Sequence, residues 1–269
     1  MKFVLWTFSF IILLFIPYLI LVRNQEKKSF IPVKIIQNKP LIYCIILTTA
    51  KNLPNKAKVI FDSWASKCDN YTFVSKLPRS DSKIHSIKNS HERLEIKYRN
   101  LFNVLKPKDF TLDRYAALTT KVLTSFMDVY KHHPHYDWYL KADDDTFLFV
   151  DNLRNFVSEK NSNNPVTYGF NFEKYVDGGY HSGGAGYLLS HGALNTLTEK
   201  LYSNKSYCVN QGIEDIDVAQ CLRDLNVYPQ NSTDELNRER FHPLSLTDHF
   251  NGNFPDWLKT YSQNKPKKV

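Results

Sequence analysis

The stretch "YDWYLKADDDTFLF", residues 136–149, decides how this chain folds and what it can hold. Trp138–Leu140 reads as a buried strand, and Asp143, Asp144 and Asp145 follow it in an unbroken row. Three adjacent carboxylates repel one another, so a fold gains nothing from them unless a positive charge compensates them. In open α/β sheets, ligands bind beyond the C-terminal ends of strands, which is where these acids fall. A divalent cation is the expected compensating charge. Hard oxygen ligands in the pattern Asp143-x-Asp145 suit Mg²⁺ or Mn²⁺ carrying a substrate diphosphate. The bland alternative is a solvated acidic turn, since Asp favours turns.

The neighbouring segments supply the sheet. "LIYCIIL" (41–47) is a continuous apolar run, as expected of a parallel strand covered on both faces. A helix follows in 54–68, with Ala57, Ile60, Phe61 and Trp64 at helical spacing and Pro54 placed to start it. "YTFVS" (71–75) is a second short strand, whereas 76–112 is charged and irregular. From Arg114 a helical pattern runs through Leu118, Val122, Phe126 and Val129. Asp151 is the expected cap of a helix carrying Leu153 and Phe156. "VTYGF" (166–170) reads as a strand and "GALNTLTEKL" (192–201) as a helix. Strands alternating with helices predict an α/β sandwich with a mostly parallel sheet. Neither an internal repeat nor a low-complexity tract interrupts the pattern.

Two further stretches carry chemistry. Six of the nine glycines lie between Gly169 and Gly186, around "GYHSGGAGYLLS" (179–190), which argues for close backbone approach as well as tight turns. The pattern is not the dinucleotide fingerprint, because Leu189 stands where its last glycine would be. "IEDIDVAQC" (213–221) follows Gly212 and places Ile216, Ala219 and Leu222 on one helical face. Acids in a first helical turn complement the helix dipole, so Glu214 and Asp215 need no ligand to explain them when taken alone.

The totals exclude some functions. Net charge is +8, but the Lys and Arg residues are scattered and no basic tract interleaves with aromatics, so nucleic acid is not an expected partner. Phe3–Val22 is an uncharged apolar run bounded by Lys2 and Arg23. A helix of that length rises about 30 Å, the thickness of a bilayer core. Residues 1–22 are therefore expected to form an uncleaved membrane anchor, with 23–40 as a stem and 41–269 as the catalytic domain. A cleaved signal peptide is the rival, but no small-x-small site follows the run. Lys/Arg balance alone favours a cytoplasmic body, because Arg23, Lys27 and Lys28 outnumber Lys2. Sequons at Asn70, Asn204 and Asn231 and an even count of four cysteines favour the secretory lumen, buried thiols being the alternative for the latter.

Taken together, "DWYLKADDDTFLFVDNLR", "GYHSGGAGYLLS", "IEDIDVAQCL" and "RFHPL" resemble the core 1 β1,3-galactosyltransferase (T-synthase) family, within the β1,3-glycosyltransferase group that includes fringe. The similarity runs from about Leu41 to about Phe254. It implies a GT-A fold and a single-pass type II protein facing the Golgi/ER lumen. It also implies transfer of galactose from UDP-galactose, with inversion, to O-3 of N-acetylgalactosamine on Ser or Thr, using Mn²⁺. Homodimers are usual in the family.

Carried over residue by residue, Asp145 matches the direct metal ligand, with Asp143 and Asp144 near the metal and the sugar nucleotide. Asp215 matches the catalytic base. Thr48 and Lys121 match positions near the nucleotide, and Gly183 and Gly184 the loop against which sugar and acceptor lie. Cys44 with Cys68, and Cys208 with Cys221, match pairs that form disulfides. The family pattern continues past "RFHPL" into a Cys pair and a Phe-His-Tyr whose His completes metal coordination; this sequence ends at Val269, before that segment. His242 and His249 match no metal ligand, so the expected site is one protein ligand short. Two other outcomes stay open: a weak or inactive paralogue acting as a chaperone of an active enzyme, and a fringe-like transferase with another donor.

Overall fold

A computed structural model describes residues 39–75, 104–105, 115–256 and 258; the expected anchor, the stem up to residue 38 and most of 76–112 lie outside the described residues. Six consecutive apolar residues make β1 (Ile42–Leu47), and all six are buried, as a strand covered on both faces requires. Pro54 sits in the first turn of α1 (Leu53–Ser63), where its missing N–H costs no hydrogen bond. The chain returns through β2 (Asn70–Val74) and β3 (Val104–Leu105), both running parallel to β1. A disulfide between Cys44 and Cys68 ties β1 to the segment entering β2.

Helix α2 (Leu118–His132) leads into β4 (Trp138–Asp143), which pairs parallel with β1 from Ile42↔Trp138 to Leu47↔Asp143. Next come α3 (Val150–Val157), β5 (Val166–Gly169), a small hairpin of β6 (Asn171–Phe172) with β7 (Tyr180–His181), and β8 (Tyr187–Ser190). Ser190 caps α4 (His191–Ser203), its hydroxyl accepting from the Ala193 N–H. The described chain closes with α5 (Glu214–Arg223), β9 (Tyr228–Pro229) and the short α6 (Leu246–Asn251). The second disulfide joins Cys208 to Cys221. Among the described residues, no helix is long and apolar enough to cross a membrane.

The sheet runs β3-β2-β1-β4-β8-β5-β9. Its alternating side chains divide the core. Trp138, Leu140 and Ala142 pack with Ile42, Ile46 and Phe73 against α1 and α3, while Tyr139 joins Tyr43, Ile45 and Leu47 against α2, α4 and α5.

The sheet is mostly parallel, as expected, with β8 running antiparallel to both β4 and β5. That strand, "YLLS", is hidden at the tail of the glycine-rich stretch. Asp151 does not cap α3: Phe149 occupies the N-cap position, and Asp151 sits in the first turn, bonded to Lys67 at 2.9 Å. The buried Phe149 ring, packed edge-on against Phe147, accompanies a helix start two residues earlier than the polar residue suggests. The regular part of α2 begins at Leu118, after a 3₁₀ turn at Tyr115–Ala117, and Arg114, from which the helical pattern of the sequence runs, lies outside the described residues.

Candidate active site

The same two-residue period separates the acid triplet. Asp143 is the last residue of β4, opposite Leu47 at the end of β1, and lies on the face of Lys141. Asp144 turns to the other side, towards α1. There its carboxylate accepts from Thr48 Oγ1 (2.7 Å) and Asn52 Nδ2 (3.0 Å) and pairs with Lys56 Nζ (2.7 Å). Thr146 pins the turn: its hydroxyl accepts from the Asp143 N–H (3.0 Å) and donates to the Gly184 carbonyl (2.9 Å). The Leu246 N–H holds the Asp145 carbonyl (2.6 Å), and Thr146 bridges to Ser245. What projects from this pinned turn is the Asp145 carboxylate, 59% exposed, with Lys56 at 3.6 Å.

The charges that arrive at the triplet are therefore two lysines of the chain itself. Lys56 serves Asp144, and Lys141 lies 3.0 Å from Asp143. Burial opposes the charge on both lysines, but the facing carboxylates outweigh it and hold both above the ordinary lysine range. Asp145 is the acid with capacity to spare.

A buried polar cluster links the triplet to α5. Lys141, fully buried, also donates to Glu214 Oε2 (3.0 Å) and to the Gly183 carbonyl (3.1 Å), while the Tyr187 hydroxyl donates to Glu214 Oε1 (2.7 Å). One cation thus faces two carboxylates. Burial raises the Glu214 pKa, with Lys141 only partly offsetting it. Burial and Glu214 together push the Tyr187 phenol well above its ordinary range. Asp215, half-buried beside Glu214, accepts from the Gly183 N–H (3.3 Å) through Oδ2 and from the Ile216 N–H (3.1 Å) through Oδ1.

Gly183 has a steric reason to be glycine: a Cβ there would lie 2.9 Å from Glu214 Oε2 and 3.2 Å from Lys141 Nζ. At Gly184 a Cβ would meet nothing within 4 Å. Lys121 is buried in α2 and donates to the Thr48 carbonyl, so the two residues expected near a nucleotide meet at the end of β1.

A cleft of about 470 Å³ opens between α1, the triplet and α6. Asn55, Lys56 and Val59 line one side, Asp144 and Asp145 the floor, and Ser245, Leu246, Thr247 and Phe250 the other side. A depression of about 530 Å³ elsewhere is lined by α3 and 231–240 and contains none of the residues above. Size alone would favour it; chemistry favours the first.

The donor set suits a metal only in a limited way. Among the described residues no group of three or more His, Cys, Asp or Glu could hold an ion. Asp145 with Asp143 offers two hard carboxylates, which fits a cation that arrives on phosphate oxygens and keeps waters. His242 and His249 are not in this set. They are buried with Phe147 and Phe149, His249 stacking on Phe147 with ring centroids 4.5 Å apart. Burial lowers both pKa values to about 4.

Sequence reasoning missed Lys141, Glu214, Tyr187 and Lys56. One signal was available: a lysine two residues before Asp143 in an otherwise buried strand must share its face and needs a partner. Nothing local marks Lys56, which stands 88 residues from Asp144.

Residues 108–178 match the galactosyltransferase family, a segment that holds the triplet but neither the Gly183 loop nor Asp215. Over 232 residues the chain is 28% identical to glycoprotein-N-acetylgalactosamine 3-beta-galactosyltransferase 1 of Xenopus laevis. That alignment covers 84% of this chain and 58% of the relative, so the chain spans less than two thirds of the relative's length. The parallel-rich α/β sheet fits a glycosyltransferase fold.

Proposed function

We propose that the chain is a member of the galactosyltransferase family, whose pattern residues 108–178 match, and that it is an inverting β1,3-galactosyltransferase. In this reading it moves galactose from UDP-galactose to O-3 of N-acetylgalactosamine on Ser or Thr of glycoproteins, in a GT-A domain. The observation that supports this most is the division of the triplet. Asp144 is saturated by Thr48, Asn52 and Lys56, Asp143 is shared with Lys141, and Asp145 stands exposed at the C-terminal edge of β4.

Asp145, with Asp143 beside it, would hold Mn²⁺, which when bound neutralises charge on a leaving diphosphate. Thr48, Lys121 and Asp144 would border the nucleotide. Asp144 acts there by locking the β4 turn to the end of β1, so that Asp145 is presented in one orientation. Gly183 and Gly184 would border the sugar and acceptor. Asp215 would accept the proton of the acceptor hydroxyl as that oxygen attacks the anomeric carbon. The Gly183 and Ile216 N–H groups hold one lone pair on each of its oxygens and leave others for the hydroxyl. The C–O bond to UDP breaks as the new one forms, and no covalent enzyme intermediate is needed. The same proposal makes residues 1–22 a type II anchor, the body lumenal in the Golgi/ER, and a homodimer its assembly.

The test offers the full chain a panel of UDP-sugars with Mn²⁺ and a peptide bearing N-acetylgalactosamine. UDP-galactose is expected to be the productive donor. Asp215→Asn is expected to lower kcat about 10²–10⁴-fold while leaving Mn²⁺-dependent UDP binding intact. Absence of manganese-dependent affinity for any UDP-sugar refutes the reading, and productive transfer from another donor redirects it.

A further inference from the structure

We propose that Lys141 is a positioning residue that ties the carboxylate on the metal side to the helix bearing Asp215, so that donor binding and base placement are coupled. The inference rests on the transferase reading above and names a residue to which nothing yet gives a role.

Lys141 sits in the middle of β4 with its side chain 0% exposed. A buried charge is costly, and an apolar residue there would pack without that penalty. The ammonium has three donors and meets three acceptors from three separate segments: Asp143 Oδ1 at 3.0 Å, Glu214 Oε2 at 3.0 Å and the Gly183 carbonyl at 3.1 Å. Two of the supports of Asp215 pass through these partners. Its neighbour Glu214 begins α5, and the Gly183 N–H reaches Asp215 Oδ2. Gly183 lacks the room for a side chain because the Lys141 ammonium and the Glu214 carboxylate pack against it. The arrangement is a bridge of one cation from the sheet edge to the helix start.

A consequence follows from sharing. Were Asp143 to share its carboxylate with a bound manganese–diphosphate complex, Lys141 would retain Glu214 and the Gly183 carbonyl as partners. Occupation of the donor side would thereby order the loop and helix that present Asp215.

The experiment compares the full-length wild type with Glu214→Gln and Lys141→Met. It measures amide hydrogen exchange in 183–186 and 213–217 with and without UDP plus Mn²⁺, together with UDP affinity, kcat and acceptor KM. In wild type, UDP plus Mn²⁺ is expected to slow exchange in both segments. Glu214→Gln, which keeps the shape but removes the charge and one of the two acceptors, is expected to abolish that slowing. It should lower kcat roughly 10²-fold, the cost of a misplacement of about 1 Å, with UDP affinity unchanged. Lys141→Met should show the same pattern and a lower Tm. A Glu214→Gln protein that loses Tm but keeps kcat and the exchange response overturns the proposal, since Lys141 would then serve the fold alone. So does a wild type whose exchange ignores UDP plus Mn²⁺. Wild type that binds UDP and responds in exchange without any transfer strikes the transferase reading and leaves the coupling standing.

Discussion

The two faces of the central sheet both bury apolar clusters, but only one of them also holds buried charge. Towards α1 and α3 the strands bury Ile42, Ile46, Trp138, Leu140 and Ala142 in an apolar and aromatic cluster. Towards α2 and α5 the same sheet also buries an apolar cluster, with Tyr43, Ile45, Leu47 and Tyr139, but sets into it the Lys141–Glu214 pair, and Thr119 donates to Asp217 at 2.6 Å. Apolar burial is non-directional and tolerates small shifts, whereas buried ion pairs and hydrogen bonds are worth something only at short range. The contrast teaches that the geometry of the site is carried by the buried polar cluster of one face, while apolar burial on both faces carries stability, with the triplet at the seam between them. Substitutions on the polar side should therefore damage chemistry more than folding, and those on the apolar side the reverse.

The largest expected effect falls at the seam. Asp145→Ala removes an exposed carboxylate whose ion pair with Lys56, at 3.6 Å, is screened by solvent, so Tm should hold. Metal-dependent transfer should fall about 10²–10³-fold, the equivalent of several kcal/mol of charge stabilisation. Thermal unfolding beside a manganese titration of transfer checks both halves. A large loss of Tm would erase the distinction between the faces.

Next is Leu140→Ala, two residues from Ala142 on the apolar face and fully buried. A cavity there should cost about 2–5 kcal/mol, seen as a Tm lower by roughly 2–4 °C per kcal/mol. The kcat of the protein that remains folded should be unchanged. Loss of kcat at constant Tm would show that the apolar face also sets the geometry of the site.

A smaller effect separates the faces by pH. His242 and His249 titrate near 4 in the folded chain because burial disfavours their charged forms, against about 6.5 unfolded. Between those values the unfolded chain binds more protons, so stability present above pH 6.5 is lost as pH falls towards 4. Replacing one ring, as in His249→Phe, should remove about one proton from the slope, or ~1.4 kcal/mol per pH unit. Unfolding measured from pH 7.5 to 4.5 reads that slope; an unchanged slope would mean that His249 titrates alike folded and unfolded.

The sequence makes one face more legible than the other. Continuous apolar runs such as 41–47 announce β1, and helical spacing at Ala57 and Ile60 announces α1, because hydrophobic burial leaves a local periodic trace. The triplet was legible as a site for the same reason, its position after a buried strand. Its partners were not. Lys56 and Lys141 reach Asp144 and Asp143 through tertiary contacts, and the expectation that a divalent cation alone must compensate the acids missed these resident cations. β8 was hidden because four buried residues after a run of glycines carry no alternation to mark a strand. Phe149 displaced Asp151 as the N-cap because packing of its ring outweighed a polar preference worth about 1 kcal/mol.

The adjacent glycines of the 183–184 loop sharpen the comparison to a single methyl group. At Gly183 an added Cβ runs into Glu214 and Lys141, so that position belongs to the buried polar face. At Gly184 it meets no protein atom within 4 Å, and the backbone there is not in the left-handed region that favours glycine. Gly184→Ala should then leave stability within about 0.5 kcal/mol, and can even raise it by restricting the unfolded chain. If the open space at Gly184 belongs to the acceptor, the methyl group should raise acceptor KM a few-fold while UDP affinity and Tm stay constant. Steady-state kinetics with varied acceptor beside a melting curve make the measurement. An unchanged acceptor KM would remove Gly184 from the site and leave Gly183 as the residue of this loop that matters, for reasons of packing rather than recognition.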